Sequence, residues 1–176
     1  VPTVSPHARD IYRRGLAMGN NPNRFSKVGD CQNITTYFLA IFDHPNRYRL
    51  GPDYDYLQEA IDHFNGSFSR ESIAVAGGMN VASVLSHYWA DNDQCNKNES
   101  PLHCELRLHQ PSIVLISMEE TWGRNNKVEN YEKYMRQIIE TVIEAGAVPI
   151  IATKADNKEG DHLVNQAIVR LAHEYD

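Results

Sequence analysis

Phe25-Ser26-Lys27-Val28-Gly29-Asp30-Cys31-Gln32 sets the reading of the whole chain. It reads as a short strand over 25–28 that runs into a Gly-Asp turn. A helix is expected behind it, over Asn33-Ile34-Thr35-Thr36-Tyr37-Phe38-Leu39-Ala40-Ile41-Phe42. Cys31 then stands where a strand ends and a helix begins. The first N–H groups of a helix have no intrahelical partner, and the helix dipole favours negative charge there. Such a corner suits an anion and a thiolate. On the local pattern alone the favoured reading of Cys31 is a small buried residue in a tight turn, because free Cys is among the most buried residue types.

The same strand, turn and helix unit recurs along the chain. Upstream, Ser5-Pro6 is a helix start with a capping hydroxyl and Pro at the first position, and Gly19-Asn20-Asn21-Pro22 stops that helix. Downstream, Tyr56, Leu57, Ala60, Ile61 and Phe64 fall on one helical stripe. Ser72-Ile73-Ala74-Val75-Ala76 reads as a second strand, entering Gly77-Gly78-Met79-Asn80 and a helix through Val81, Val84, Leu85 and Tyr88. Pro111-Ser112-Ile113-Val114-Leu115-Ile116-Ser117-Met118 is the strongest strand, with the continuous apolar run of a strand buried on both faces. A helix over 128–145 carries Tyr131, Met135, Ile138 and Val142 on one face, with Gly146 just past its end. Val148-Pro149-Ile150-Ile151-Ala152-Thr153 is a fourth strand, and a last helix carries Leu163, Ala167, Ile168 and Leu171.

Alternating strands and helices predict the α/β class, a parallel sheet with helices on both faces. Ligands then bind at the carboxyl ends of the strands. Those ends are Asp30-Cys31, Gly77-Gly78, 119–122 and 153–156.

A chain of 176 residues is long enough for one domain with a real core. We expect that α/β domain over 24–176, behind a helical lead-in or linker segment over 1–23. The net charge of −6 and pI of about 5.7 argue against nucleic-acid and anionic-membrane partners. No apolar run approaches the ~20 residues needed to span a bilayer. The sequence opens at Val1 and not at Met, as a mature or excised piece would.

Cys95 and Cys104 bracket the polar stretch Asn96-Lys97-Asn98-Glu99-Ser100-Pro101-Leu102-His103, which has turn composition. The simplest partition of three cysteines is that disulfide plus an odd Cys31, in an extracellular or cell-surface setting. Three free thiols in a cytosolic protein is the alternative. Asn33, Asn65 and Asn98 each open an N-x-S/T sequon and are glycosylation candidates, Asn65 and Asn98 the better ones because they lie in expected loops.

Together these segments resemble the SGNH (GDSL-type) hydrolases, over most of the chain from Phe25 onward. Gly29-Asp30-Cys31 is similar to the first block of that family, with Cys31 where the nucleophilic serine normally stands. Gly77-Gly78-Met79-Asn80 matches the second block, with Gly78 at an oxyanion-hole position. The segment 113–122 matches the third, and places Thr121 at the asparagine of the oxyanion hole. The resemblance implies a flavodoxin-like three-layer α/β/α sandwich, here with four strands in the order 2-1-3-4 and the fifth missing. It also implies metal- and cofactor-free hydrolysis of acyl esters on a saccharide or lipid.

The chain departs from the family pattern at Cys31, Thr121 and Glu119, the last standing for a glycine. The closing Asp-x-x-His block falls beyond Asp176, and Asp161-His162 has the wrong spacing. Loss of one oxyanion donor lowers rate by about 10²–10³. The expectation is therefore a diverged or impaired hydrolase. The alternative is a pseudoenzyme, a non-catalytic extracellular carbohydrate-binding or assembly module. A missing edge strand further implies self-association or pairing with a segment of a larger parent.

Other constellations add little chemistry. The eight histidines show no ligand spacing, so no metal is expected. Gly77-Gly78 lacks the spacing of a nucleotide loop. Trp89 and Trp122 read either as rim or core residues or as sugar-stacking faces.

Overall fold

The computed structural model describes residues 3–118, 127–155 and 162–176. Helix α1 (Pro6–Met18) starts as its sequence dictates: the Ser5 hydroxyl accepts from Ala8 N at 3.0 Å, and Gly19 closes the helix at φ 101°. Within 1–23, helix α1 and the residues just after it pack onto the rest of the chain. A Cβ built on Gly15 would lie 1.8 Å from Gly146 O, so two glycines let α1 touch the turn before the last strand. Asn20 Nδ2 donates to Ala145 O at 2.8 Å, and Arg14 donates to Ile143 O. The first strand also begins inside this segment.

That strand, β1 (Asn21–Gly29), pairs in parallel with β2 (Pro111–Ser117), which pairs in parallel with β3 (Val148–Ile151). Val28 stands opposite Ile116, and Ile116 opposite Ile151. Among the described residues the sheet thus has three strands, not four. The expected strand over 72–76 contributes one parallel bridge, Gly29 to Val75. The Ser72 hydroxyl explains why. It donates to Lys27 O at 2.7 Å and accepts from Ala74 N at 3.2 Å, taking ladder positions that backbone groups would hold. Val75 N then folds back onto Ser72 O at 3.2 Å.

Among the described residues five α-helices flank this sheet: α1, α2 (Leu57–His63), α3 (Pro101–His109), α4 (Val128–Glu144) and α5 (Val164–Tyr175). Alternation along β2 sends successive side chains to opposite faces. Val114 and Ile116 join the main core with Tyr131, Met135 and Ile138 of α4 and Ile168 and Leu171 of α5. Ile113 and Leu115 meet the smaller cluster of Phe25, Ile61 and Phe68. Gly146 past α4 sits at φ 74°, as its place after the apolar stripe predicted.

Two expected helices are absent. Residues 33–42 form turns that end in a 3₁₀ segment (Ala40–Asp43), with Leu39 at φ 64°. Residues 81–88 form two 3₁₀ segments, Ser83–Leu85 and His87–Trp89. Both stretches are rich in β-branched and hydroxyl residues, whose side chains compete with the helical backbone. Thr35 Oγ1 donates to Arg70 O at 3.1 Å. Asn80 Oδ1 caps the second stretch, accepting from Ala82 N and Ser83 N, each at 3.0 Å, but the turn it starts ends at Leu85.

One helix was not expected. Cys95 and Cys104 do form a disulfide, with Cα atoms 5.3 Å apart, but Cys104 lies inside α3 and is fully buried. Ser100 caps α3, and Pro101 occupies its first turn. Closing a loop of this length restricts the unfolded chain by about 2–3 kcal/mol. Reduction with dithiothreitol should therefore lower the urea midpoint by the equivalent of about 2–3 kcal/mol; an unchanged midpoint would remove the disulfide from any account of stability.

Candidate active site

Each residue of Gly29-Asp30-Cys31 has a distinct physical task. A Cβ on Gly29 would fall 2.1 Å from Asn33 Oδ1, so the first position excludes any other residue without rearrangement. Asp30 caps the 3₁₀ turn Cys31–Asn33: its Oδ1 accepts from Gln32 N at 2.8 Å, while Asp30 N donates to Asn33 Oδ1 at 3.3 Å. Asp30 and Asn33 are 0% and 2% exposed. Cys31, held between them, carries no disulfide and is exposed. The reading of Cys31 as a buried turn residue is thus overturned. So is the helix-start argument for a thiolate, because a three-residue turn has no macrodipole of consequence.

The bridge from Gly29 to Val75 brings the second candidate edge alongside. Gly29 N donates to Ala74 O at 3.0 Å. Two and three residues beyond Val75, Gly77 and Gly78 reach the same carboxyl end and are exposed. Gly78 adopts φ 79°, a left-handed conformation that side chains disfavour. Buried Met79 anchors the turn, and Ser83 Oγ accepts from Asn80 N at 2.8 Å behind it. Cys31 and Gly78 are therefore brought to one edge. Thr121 lies outside the described residues, as do Glu119, Glu120 and Trp122.

The fourth candidate edge, 153–156, supplies a residue that sequence reasoning missed. Lys154, just past β3, reaches across to Asp30, with Nζ 3.1 Å from Oδ2. The two side chains are 4% and 0% exposed. Asn165 of α5 fixes the Lys154 backbone: Lys154 N donates to Asn165 Oδ1 at 2.7 Å, and Asn165 Nδ2 donates to Lys154 O at 2.8 Å. The only sequence signal was position, a lysine directly after an apolar strand at a carboxyl end.

A second buried layer lies behind the turn. Lys27 Nζ donates to Phe68 O at 3.0 Å and to Thr35 Oγ1 at 3.2 Å, tying the 31–43 stretch to the 68–70 stretch. Burial, reinforced by the Arg70 charge, lowers the Lys27 pKa to about 8. Glu105 of α3 accepts from Ser26 Oγ, Ile73 N and both terminal nitrogens of Arg70. It thereby pins the strand-like segment that carries Gly77 and Gly78. No alternation or motif in the sequence marks Lys27 or Glu105 as buried.

Of the three sequons, Asn65 and Asn98 are exposed. Asn33 is enclosed against Gly29, so a glycan there is incompatible with the observed packing. Sulfur atoms of Cys95 and Cys104 lie with a Glu99 oxygen within 4.8 Å of one another, but both sulfurs are committed to the disulfide. Comparison with protein-family models, curated proteins and solved structures finds no match to this chain.

Removing one partner of a buried ion pair strands the other charge, at a cost of about 3–5 kcal/mol. Lys154→Met should lose about that much stability in urea unfolding, and adding Asp30→Asn should restore part of it. Equal losses in the single and double variants would contradict the pairing.

A second measurement concerns Lys27. Its folded pKa lies below the unfolded value of 10.5, so between about pH 8 and 10.5 the unfolded chain binds more protons. The Lys27 contribution is a penalty present in full below pH 8. It is relieved as pH rises, by about 3 kcal/mol in total. Lys27→Met should abolish that alkaline gain; a variant that keeps it would assign the effect to other groups.

Proposed function

We propose that this chain is a diverged SGNH-type acyl-ester hydrolase domain on a three-layer α/β/α scaffold, working in an oxidising, extracellular setting. Cys31 stands in the nucleophile position and Gly78 in the oxyanion position. The observation that carries this reading is the Gly29–Val75 bridge. Through it an exposed thiol and an exposed glycine turn share one carboxyl end of a parallel sheet. In such sheets ligands bind at that end. The Cys95–Cys104 disulfide fits an oxidising compartment, and among the described residues no helix is long and apolar enough to cross a membrane.

The chemistry would run through a thioester. The Cys31 thiolate attacks the ester carbonyl carbon, the bond to the alkoxide breaks, and the alkoxide takes the proton the thiol gave up. Water then hydrolyses the thioester and returns the thiol. A thiolate needs less help from a base than a serine hydroxyl, because a few per cent of an ordinary thiol is already ionised at neutral pH.

Incubation with p-nitrophenyl acetate at neutral pH tests this. The wild type should release p-nitrophenol and carry a transient acetyl adduct mapped to Cys31 by peptide mass spectrometry. Cys31→Ala should lose both. Hydrolysis that persists in Cys31→Ala, or an unmodified Cys31, would sink the hydrolase reading.

Among the described residues β3 is an edge strand, and this favours a second reading, a non-catalytic assembly module. Ala152 N donates to Ile116 O, so residues 148, 150 and 152 turn their backbone toward β2, and Pro149 and Ile151 turn theirs outward. Ile150 is 49% exposed, and apolar cavities flank the edge between Val4, Ala8, Ile113 and Ile150. Two copies pairing along β3 should appear as a dimer in sedimentation equilibrium. Ile151→Pro, which removes only the outward N–H, should return it to monomer; a wild-type monomer at all concentrations would rule this out.

A further inference from the structure

Beside Gly78 stands an aromatic surface that neither the core nor the thiol chemistry uses. The 3₁₀ turn His87–Trp89 presents three ring side chains in succession. Its backbone is fixed: Trp89 N donates to Ser86 O at 3.0 Å, and Ala90 N to His87 O at 3.2 Å. Tyr88 is 86% exposed and Trp89 45% exposed. The His87 and Tyr88 rings stack at 4.1 Å between centroids, so neither hangs free. The outer edge of the Trp89 indole lies 3.9 Å from where a Cβ on Gly78 would stand. Gly77 faces open space.

From this placement we propose that the His87–Trp89 turn is a saccharide-binding subsite, with Trp89 as the face on which a pyranose ring stacks. Leaving an indole and a phenol in water forgoes the burial that normally holds them in a core. Flat, amphipathic rings on a fixed backbone suit a ligand that is itself flat, with apolar C–H groups on one side and hydroxyls at its rim. The electron-rich ring face attracts the weakly positive C–H groups of a sugar. A long acyl chain is the poorer match here. The fully apolar cavity of about 270 Å³ lies instead among Phe25, Leu39, Phe42, Phe68, Ile113 and Leu115, on strand positions short of the carboxyl ends. A nucleic acid is disfavoured by the net charge of −6.

This deepens the hydrolase reading by choosing a saccharide over a lipid, and rests on it only for the placement of the cleft at Gly77–Gly78. Binding is therefore measured apart from turnover, in the full chain carrying Cys31→Ala. Cellotetraose, xylotetraose and chitotetraose are titrated separately by calorimetry and by the indole N–H resonances in two-dimensional NMR. At least one should bind and move the Trp89 resonance. Trp89→Ala should weaken that binding by about tenfold, and Trp89→Phe by less. Tyr88→Ala, at a residue exposed enough to leave the fold intact, provides a second variant and should weaken the same saccharide. Failure of all three saccharides to bind, or binding that ignores both Trp89→Ala and Tyr88→Ala, overturns the subsite. Saccharide binding without acetylation of Cys31 overturns the hydrolase reading and upholds the subsite; acetylation without saccharide binding does the reverse.

Discussion

A carboxylate and an ammonium enclosed together at the carboxyl end of the sheet hold the candidate site in place. Asp30 belongs to the end of β1 and Lys154 to the end of β3, with β2 between them. Two buried charges are tolerated only when each is paired and its remaining hydrogen-bonding capacity is met. Asp30 meets that condition with the Gln32 amide on its other oxygen, and Lys154 has its backbone clamped by Asn165. The pair therefore ties two parts of the chain, 124 residues apart in sequence, to one point beside Cys31.

The same logic runs through the layer behind it. Apolar side chains fill both faces of the sheet, but the groups that fix the site's loops are polar: Lys27, Ser72, Glu105 and Arg70. Apolar contacts are non-directional and specify volume. Hydrogen bonds to buried charges specify direction and are costly to leave unmade. The loops of 31–43 and 68–78 lack long helices, so direction is what they need. Cys31 and Gly77-Gly78 stand exposed above these buried polar anchors.

Much of this architecture was legible in the chain. Ser5-Pro6 capped a helix, Pro111 to Met118 gave the central strand, the apolar stripe of 128–145 with Gly146 gave α4, and Cys95 found Cys104. Each is a local or strictly periodic signal. The failures share a different cause. Residues 33–42 and 81–88 carry apolar spacing that fits a helix, yet Thr35 is held by Arg70 O across the chain, and the turn capped by Asn80 stops after one 3₁₀ segment. Residues 72–76 look like a strand, but the Ser72 hydroxyl substitutes for the ladder. Propensity is a weak prior where side chains have such partners.

The sequence by itself determined the class, α/β with a parallel sheet, and marked Gly29-Asp30-Cys31 as the turn that ends the first strand. It could do so because hydrophobic period and turn residues are written in consecutive positions. Only the tertiary structure decided that Cys31 is exposed, that Asn33 is enclosed, and that Lys154 completes Asp30. Those outcomes depend on which distant segments meet. Burial of a charge becomes affordable only once its partner has arrived, and no run of neighbouring residues records that arrival.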